Sequence, residues 1–131
     1  LDLLPVGSPG NLKIANVTFL QSNWYAAVGN MTFDVIVSNP PYIEDNDIHL
    51  NQGDLRFEPI SALASGQDGL DDIRHIVKYA KLHLKPSGWL MIEHGYNQAA
   101  VVAELLKLAE FSNIHHVKDL AGIHRVTLGH Y

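Results

Sequence analysis

One apolar run that leads into two prolines constrains this chain more than any other feature. Residues 33–37 read FDVIV, a run rich in β-branched residues that predicts a buried strand. Ser38, Asn39, Pro40 and Pro41 follow it directly. Because proline has no backbone N–H and holds φ near one value, the strand cannot continue through the prolines. The sequence therefore predicts a buried strand that ends in a rigid polar loop.

Alternating strand and helix patterns follow downstream. Residues 89–93 (WLMIE) predict a second buried strand, preceded by a turn at 85–88 (KPSG). Two sets of apolar residues recur at helical spacing, one between the strands and one after them. They are Ile73, Ile76, Val77, Ala80 and Leu84, and then Val102, Leu105, Leu106 and Ala109. The order strand, helix, strand, helix predicts an α/β fold with a parallel sheet and a right-handed crossover.

The two ends of the chain carry different patterns. Residues 114–117 and 125–130 are strand-like runs joined by a segment too short for a crossover helix, so they are expected to form an antiparallel hairpin. Residues 16–20 (NVTFL) predict one more strand, whereas residues 1–11 show no period and are expected to be loose. The long polar stretch at 42–69 predicts a loop of the length that usually serves a site.

Composition excludes several classes of function. The chain has 131 residues, a size that predicts one domain, and its 9 basic and 14 acidic side chains give a net charge of -5. The basic residues form no stripe that could neutralise phosphates, which disfavours nucleic acid as a partner. Cysteine is absent, which removes disulfides and thiolate chemistry and fits a cytoplasmic protein. No apolar run approaches the length of a membrane span.

The residues after the first strand suit a planar nitrogen group. Open α/β sheets bind ligands at the carboxyl ends of their strands, which is where Asn39 is expected. The Asn39 side-chain oxygen and the Pro40 carbonyl can both accept N–H bonds, Pro41 stiffens the next turn, and Tyr42 offers an aromatic face. Such a pocket would orient an amide or amine for attack on an activated methyl group without a general base. The alternative is that the tetrad is only a rigid turn.

Four segments together resemble the HemK-type protein-(glutamine-N5) methyltransferases that modify peptide chain release factors. The resemblance runs from about residue 12 to 131 and is carried by FDVIVSNPPYI, QGDLRFEP, ALASGQDGLDDIR and GWLMIEHG. It implies a Rossmann-like fold that depends on S-adenosylmethionine, with strand order 3-2-1-4-5-7-6. It also implies that the tetrad binds the glutamine of the release factor's Gly-Gly-Gln tripeptide. Asn39, Pro40 and Tyr42 would be catalytic, and Pro41 would contribute to substrate binding.

The same resemblance implies a cofactor site and sets limits on it. Trp24 matches the aromatic position that lies against the adenine in relatives, Asn23 stands where relatives often have Asp, and Asn39 would also lie near the methyl donor. The family's glycine-rich loop, its ribose-binding acid and its amino-terminal helical domain have no counterpart in this sequence. Residues 1–131 are therefore expected to be the carboxyl-terminal part of a catalytic domain, holding the third to seventh strands and binding the cofactor weakly or not at all.

Two other functions remain open at this point. An amino-directed nucleic-acid methyltransferase would share the tetrad, and a non-catalytic remnant would retain only the peptide pocket. A metal site is not expected although the chain has eight histidines, because His115 and His116 are adjacent on a predicted strand and point to opposite faces. Glu93 could either line the cofactor pocket or satisfy the start of a helix.

Overall fold

The strand predicted from FDVIV is present and ends where the prolines require. In the computed structural model, which describes residues 16–41 and 69–131, this strand is β1 and spans Phe33–Ser38. The chain divides into two compact units, Leu1–Met31 and Thr32–Tyr131. The loose segment predicted at 1–11 lies outside the described residues, as does the loop predicted at 42–69 except for its last residue, Gly69.

The second unit confirms the predicted alternation of strands and helices. After β1 come α1 (Asp71–Ala80), β2 (Leu84–Glu93), α2 (Ala99–Leu108), β3 (Ser112–Lys118) and β4 (His124–His130). The sheet order is β1-β2-β4-β3, with β1 and β2 parallel and the other two pairs antiparallel. The predicted carboxyl-terminal hairpin is therefore confirmed, as is the α/β class.

Helix α1 begins where acidic residues favour a helix start and ends one turn earlier than its apolar period suggested. Asp71 and Asp72 lie in its first turn, near the positive end of the helix dipole. After Ala80, the His83 N–H donates to the Ala80 carbonyl at 2.9 Å, which closes a tight turn. Leu84, predicted as the last residue of the helical face, instead begins β2 and is still buried.

The turn predicted at 85–88 lies inside β2 as a bulge. Phe33 pairs with Leu84 and Val35 pairs with Trp89, so β2 uses three more residues than β1 between these pairs. Ser87 adopts a φ of 70°, and a Cβ on Gly88 would lie 2.9 Å from the Lys85 carbonyl oxygen. The close approach explains why glycine occupies position 88.

The described core lies between the helices and one face of the sheet. Its fully buried apolar side chains include Ile73 of α1, Leu90 and Ile92 of β2, and Leu106 of α2. A Cβ on Gly129 would lie 3.1 Å from the Phe111 Cβ and 3.3 Å from the Leu106 Cδ1, so the start of β3 and helix α2 approach the β4 backbone closely. This packing fixes the direction of β2 and β4, and with it the edge at which their polar ends meet.

Two predictions about strands are wrong. Residues 16–20 form no strand and are exposed, because a strand requires a paired neighbour and none of the described residues pairs with them. Strand β1 is not buried as predicted: Val35 and Val37 are 46% and 73% exposed. The apolar run at 33–37 indicates a tendency to form a strand, whereas the burial of the strand depends on which elements cover each of its faces.

Candidate functional site

Asn39, Pro40 and Pro41 leave the sheet at the carboxyl ends of the parallel strands β1 and β2. The last registered pair is Ser38 with Ile92, so the segment begins directly beyond it. Both proline rings are buried, with Pro40 among the fully buried side chains, while Asn39 is exposed. The arrangement holds the backbone by buried rings and leaves an amide side chain accessible. Tyr42, the fourth residue of the tetrad, lies outside the described residues.

Directly after the neighbouring strand β2 lies a buried histidine that is not among the predicted site residues. His94 has no exposed surface. Its Nδ1 lies 3.0 Å from the Gly95 carbonyl oxygen, and its Nε2 lies 2.7 Å from the Thr127 hydroxyl on β4. Burial lowers the pKa of His94; the hydrogen bond to Gly95 opposes this shift, and nearby His116, Arg125 and His124 reinforce it. A histidine and glycine directly after an apolar strand were the available signal.

Two further histidines continue this group across the sheet. The His116 Nδ1 lies 2.7 Å from the same Thr127 hydroxyl, and its ring stacks on His124 with centroids 5.0 Å apart. Desolvation lowers the pKa of His116, and the neighbouring His124 and His115 lower it further. His115 makes an edge contact with the Trp89 ring at 5.7 Å. No group of three potential ligands that could hold a metal occurs within 16–41 and 69–131.

The β3–β4 hairpin tip lies at the same edge, because β4 runs antiparallel to β2 and starts at His124. Asp119 organises the tip: its carboxylate accepts the Ala121 and Ile123 N–H groups at 2.8 and 3.0 Å and the Arg125 Nε–H at 3.1 Å. The hydrogen bond from Ile123 is the largest cause that lowers the pKa of Asp119. The tip is thereby a fixed turn and not a flexible connection.

Trp24 and Asn23, the predicted cofactor residues, belong to the first unit. They lie in a turn before the 3-10 helix Ala26–Val28, and Trp24 is half-buried with a φ of 54°. The Ser22 hydroxyl donates to the Trp24 carbonyl at 2.9 Å and accepts the Ala27 N–H at 2.8 Å. Ser22 therefore stabilises the left-handed residue that presents the indole. Burial raises the pKa of the adjacent Tyr25 above its usual range.

Comparison with known proteins shows the family to which this chain belongs. The sequence model of the Eco57I restriction-modification methylase family matches residues 10–120. The chain belongs to this methylase family. Its strand order β1-β2-β4-β3 corresponds to the 4-5-7-6 part of the order implied by the resemblance, which makes the fold a partial Rossmann-like methyltransferase fold.

Individual relatives carry a more specific name. The release factor glutamine methyltransferase of Pseudomonas aeruginosa is 51% identical over 120 residues, which cover 92% of this chain and 44% of the relative. The enzyme of the same name from Vibrio cholerae is 50% identical over 121 residues, covering 92% of this chain and 42% of the relative. The resemblance stated from the motifs is thereby confirmed. The chain spans less than half the length of these relatives.

One solved structure is also similar to part of this chain. The protein-(glutamine-N5) methyltransferase (release factor-specific) of Alicyclobacillus acidocaldarius is 28% identical, with a TM-score of 0.49 over 81% of this chain and 52% of that chain.

Among the described residues, no helix combines the length and the apolar character needed to cross a membrane.

Proposed function

We propose that this chain forms the acceptor-site part of a cytoplasmic enzyme that methylates a peptide chain release factor. The methyl group would pass from S-adenosylmethionine to the side-chain amide nitrogen of the glutamine in a Gly-Gly-Gln tripeptide. One observation carries the proposal: Asn39 is exposed beside two buried prolines at the end of a parallel strand. The identity of about half of the residues to relatives named for this reaction supports it.

The proposed chemistry depends on orientation. An amide nitrogen attacks a methyl carbon poorly because its lone pair is delocalised, so its two N–H groups must be held with the lone pair facing the methyl group. The Asn39 side-chain oxygen and the Pro40 carbonyl would accept these two N–H groups. The buried Pro40 ring fixes the direction of that carbonyl. Tyr42 would lie against the flat amide.

S-adenosylmethionine would supply a methyl group already activated on a sulfonium, so no base is needed before transfer. The side chains proposed to hold S-adenosylmethionine are of types that can contact its purine and its polar groups. Trp24 presents a half-buried indole suited to a purine face, and Asn23 and Asn39 offer neutral amides for polar contacts. Asn23 is a weaker partner for ribose hydroxyls than a carboxylate would be.

A second candidate function follows from the name of the matching family, since Eco57I is described as a restriction-modification methylase. Nucleic acid would then be the acceptor. The net charge of -5 disfavours this acceptor, because binding to a phosphate backbone depends on clustered basic residues. We therefore propose the protein acceptor, with neither nucleic acid nor membrane as a direct partner.

The test measures methyl incorporation by the intact enzyme into a release factor and into duplex DNA. Asn39→Ala is expected to reduce incorporation into the release factor by roughly 10²- to 10³-fold, as for loss of one orienting group in other active sites. Asn30→Ala, an exposed asparagine of the first unit, is the matched control and should retain activity. Unchanged incorporation in Asn39→Ala would refute the mechanism. Methylation of DNA but not of the release factor would favour the second candidate.

A further inference from the structure

The Thr127 hydroxyl lies between two imidazoles and can donate only one hydrogen. It lies 2.7 Å from the His94 Nε2 and 2.7 Å from the His116 Nδ1. A hydroxyl that contacts two ring nitrogens must donate to one of them and accept from the other. The protonation state of the two rings therefore determines to which nitrogen Thr127 donates.

The Gly95 carbonyl determines which nitrogen of His94 carries the hydrogen. A carbonyl oxygen only accepts, so the His94 Nδ1, 3.0 Å away, must carry a hydrogen. In the neutral ring the Nε2 is then a bare acceptor, and the Thr127 hydroxyl donates to it. Thr127 in turn accepts a hydrogen from the His116 Nδ1. The described core holds no buried side-chain nitrogen or oxygen without a partner, which agrees with this arrangement.

This network fixes the backbone beside the acceptor site. Gly95 is held on both sides, since its carbonyl accepts from the His94 ring and its N–H donates to the Gln98 side-chain oxygen at 2.7 Å. Pro40 and His94 each lie two residues beyond the paired Ser38 and Ile92, and both side chains are fully buried. The turn after β2 and the segment that presents Asn39 therefore leave neighbouring strands at the same edge of the sheet.

We infer that His94 is a positioning residue for the acceptor site, acting as a neutral Nδ1–H imidazole whose tautomer is set by Gly95 and Thr127. The inference rests on the proposed function and adds to it a residue that does not touch the substrate. A proton added to His94 makes its Nε2 a donor and forces Thr127 to reverse its bond toward His116. The bond from Nδ1 to the Gly95 carbonyl is kept in the charged form. Protonation therefore acts on the acceptor site through the changed Thr127 bond and through the positive charge placed beside the turn after β2.

The groups around His94 oppose its protonation. From β3 and β4 they are His116, His124 and Arg125, all positive when charged, and the Asp119 carboxylate is paired with Arg125 at 3.1 Å. Glu93 precedes His94 in β2 and, by the alternation of a strand, points to the opposite face. Burial is the largest cause and acts in the same direction; the hydrogen bond to Gly95 opposes it, and the net result is a lowered pKa of His94. The neutral form is thus the form that the fold selects.

Nitrogen-15 NMR of the imidazoles in this chain tests the tautomers without reference to catalysis. In the wild type, His94 and His116 should both carry hydrogen on Nδ1, with His94 Nε2 unprotonated. Thr127→Ser should leave both rings unchanged, while Thr127→Val should release His116 to the common Nε2–H form and leave His94 as it is. Hydrogen on Nε2 of neutral His94 in the wild type would overturn the inference, whether or not either variant folds.

Coupling to the acceptor site is tested on the same samples. As pH falls, the Asn39 side-chain amide resonances should shift with the midpoint at which His94 protonates, and this response should disappear in His94→Asn. An Asn39 resonance that does not move while His94 titrates would refute the positioning role. Loss of methylation in Asn39→Ala tests the proposed function separately, so the two failures are distinguishable.

Steady-state kinetics of the intact enzyme provide a third test of the positioning role of His94. Asparagine can keep the hydrogen bond to Gly95 because its amide nitrogen occupies the place of Nδ1, whereas glutamine extends past it. His94→Gln should therefore lower kcat by about tenfold or more relative to His94→Asn, with similar KM, because misplacement of an orienting group acts on the chemical step. Equal kcat values for the two variants would contradict the inference.

Discussion

The exits of β1 and β2 lie side by side at one edge of the sheet, yet they are held by different means. The β1 exit, residues 39–41, is fixed by two proline rings whose φ is set within the residue itself. The β2 exit, residues 94–95, is fixed by hydrogen bonds to Arg125, Gln98 and Thr127, of which Thr127 lies 33 positions after His94 in the chain. One exit is stiff because of its covalent structure, and the other is stiff only when the sheet has formed.

This difference suggests separate roles for the two exits in the proposed site. A substrate amide needs an acceptor with a fixed direction, which proline supplies at any pH. A response to acidification needs a group that titrates, and the buried His94, whose pKa is lowered by burial, is such a group. The β1 exit is therefore suited to contact the substrate, and the β2 exit is suited to hold or release the segment that does so.

The largest effect on stability is expected where one side chain supports both exits. Ile92 is fully buried and pairs with Ser38 on one side and Thr127 on the other. Ile92→Ala should lower the free energy of unfolding by about 2–5 kcal/mol, and Ile92→Val by about 0.5–1.5 kcal/mol, because the larger truncation leaves the larger cavity. Urea denaturation measures both. Equal losses in the two variants would show that packing at Ile92 does not limit stability.

Removal of the Thr127 hydroxyl should affect the β2 exit and the His116 ring, and not the β1 exit. Thr127→Val keeps the shape of the side chain but leaves the buried His94 Nε2 without its donor. A loss of about 2 kcal/mol in the free energy of unfolding is expected, the usual cost of an unsatisfied buried polar group. Thr127→Ser, which retains the hydroxyl, should lose less. If valine proves as stable as serine, the hydroxyl does not hold the β2 exit.

The same difference explains what could be predicted from the sequence. Strand β1, its end at Pro40 and the β3–β4 hairpin follow from local chemistry, and the structure confirms them. Leu84 was wrongly assigned to helix α1 because apolar spacing does not show where a turn intervenes. Residues 16–20 do not form the predicted strand because none of the described residues pairs with them. The contact between His94 and Thr127 could not be predicted because it depends on the register of β2 with β4.

A smaller effect is expected from loosening the β1 exit. Pro40→Ala removes part of a fully buried ring and restores freedom to the unfolded chain. The free energy of unfolding should fall by about 1–2 kcal/mol from the lost methylene burial and the added chain entropy. Calorimetry at pH 7 measures it. Because the Pro40 ring does not titrate, the loss should be the same at pH 5.5. A loss that depends on pH would show that a titrating group also contributes to stability at Pro40.

Acidification is expected to have the smallest effect on stability and to act on the β2 exit through His94. Burial lowers the pKa of His94 in the folded state below its value of about 6.5 in the unfolded chain. Between these two values the unfolded state binds more protons, so this contribution to stability is complete above about pH 6.5 and is lost as pH falls toward the folded pKa. Urea denaturation of the wild type and His94→Asn at pH 7.5 and 5.5 measures the difference. The wild type should lose more stability than the variant over this interval. Parallel losses in the two proteins would assign the acid sensitivity to groups other than His94, of which His116, with its own lowered pKa, is the first to test.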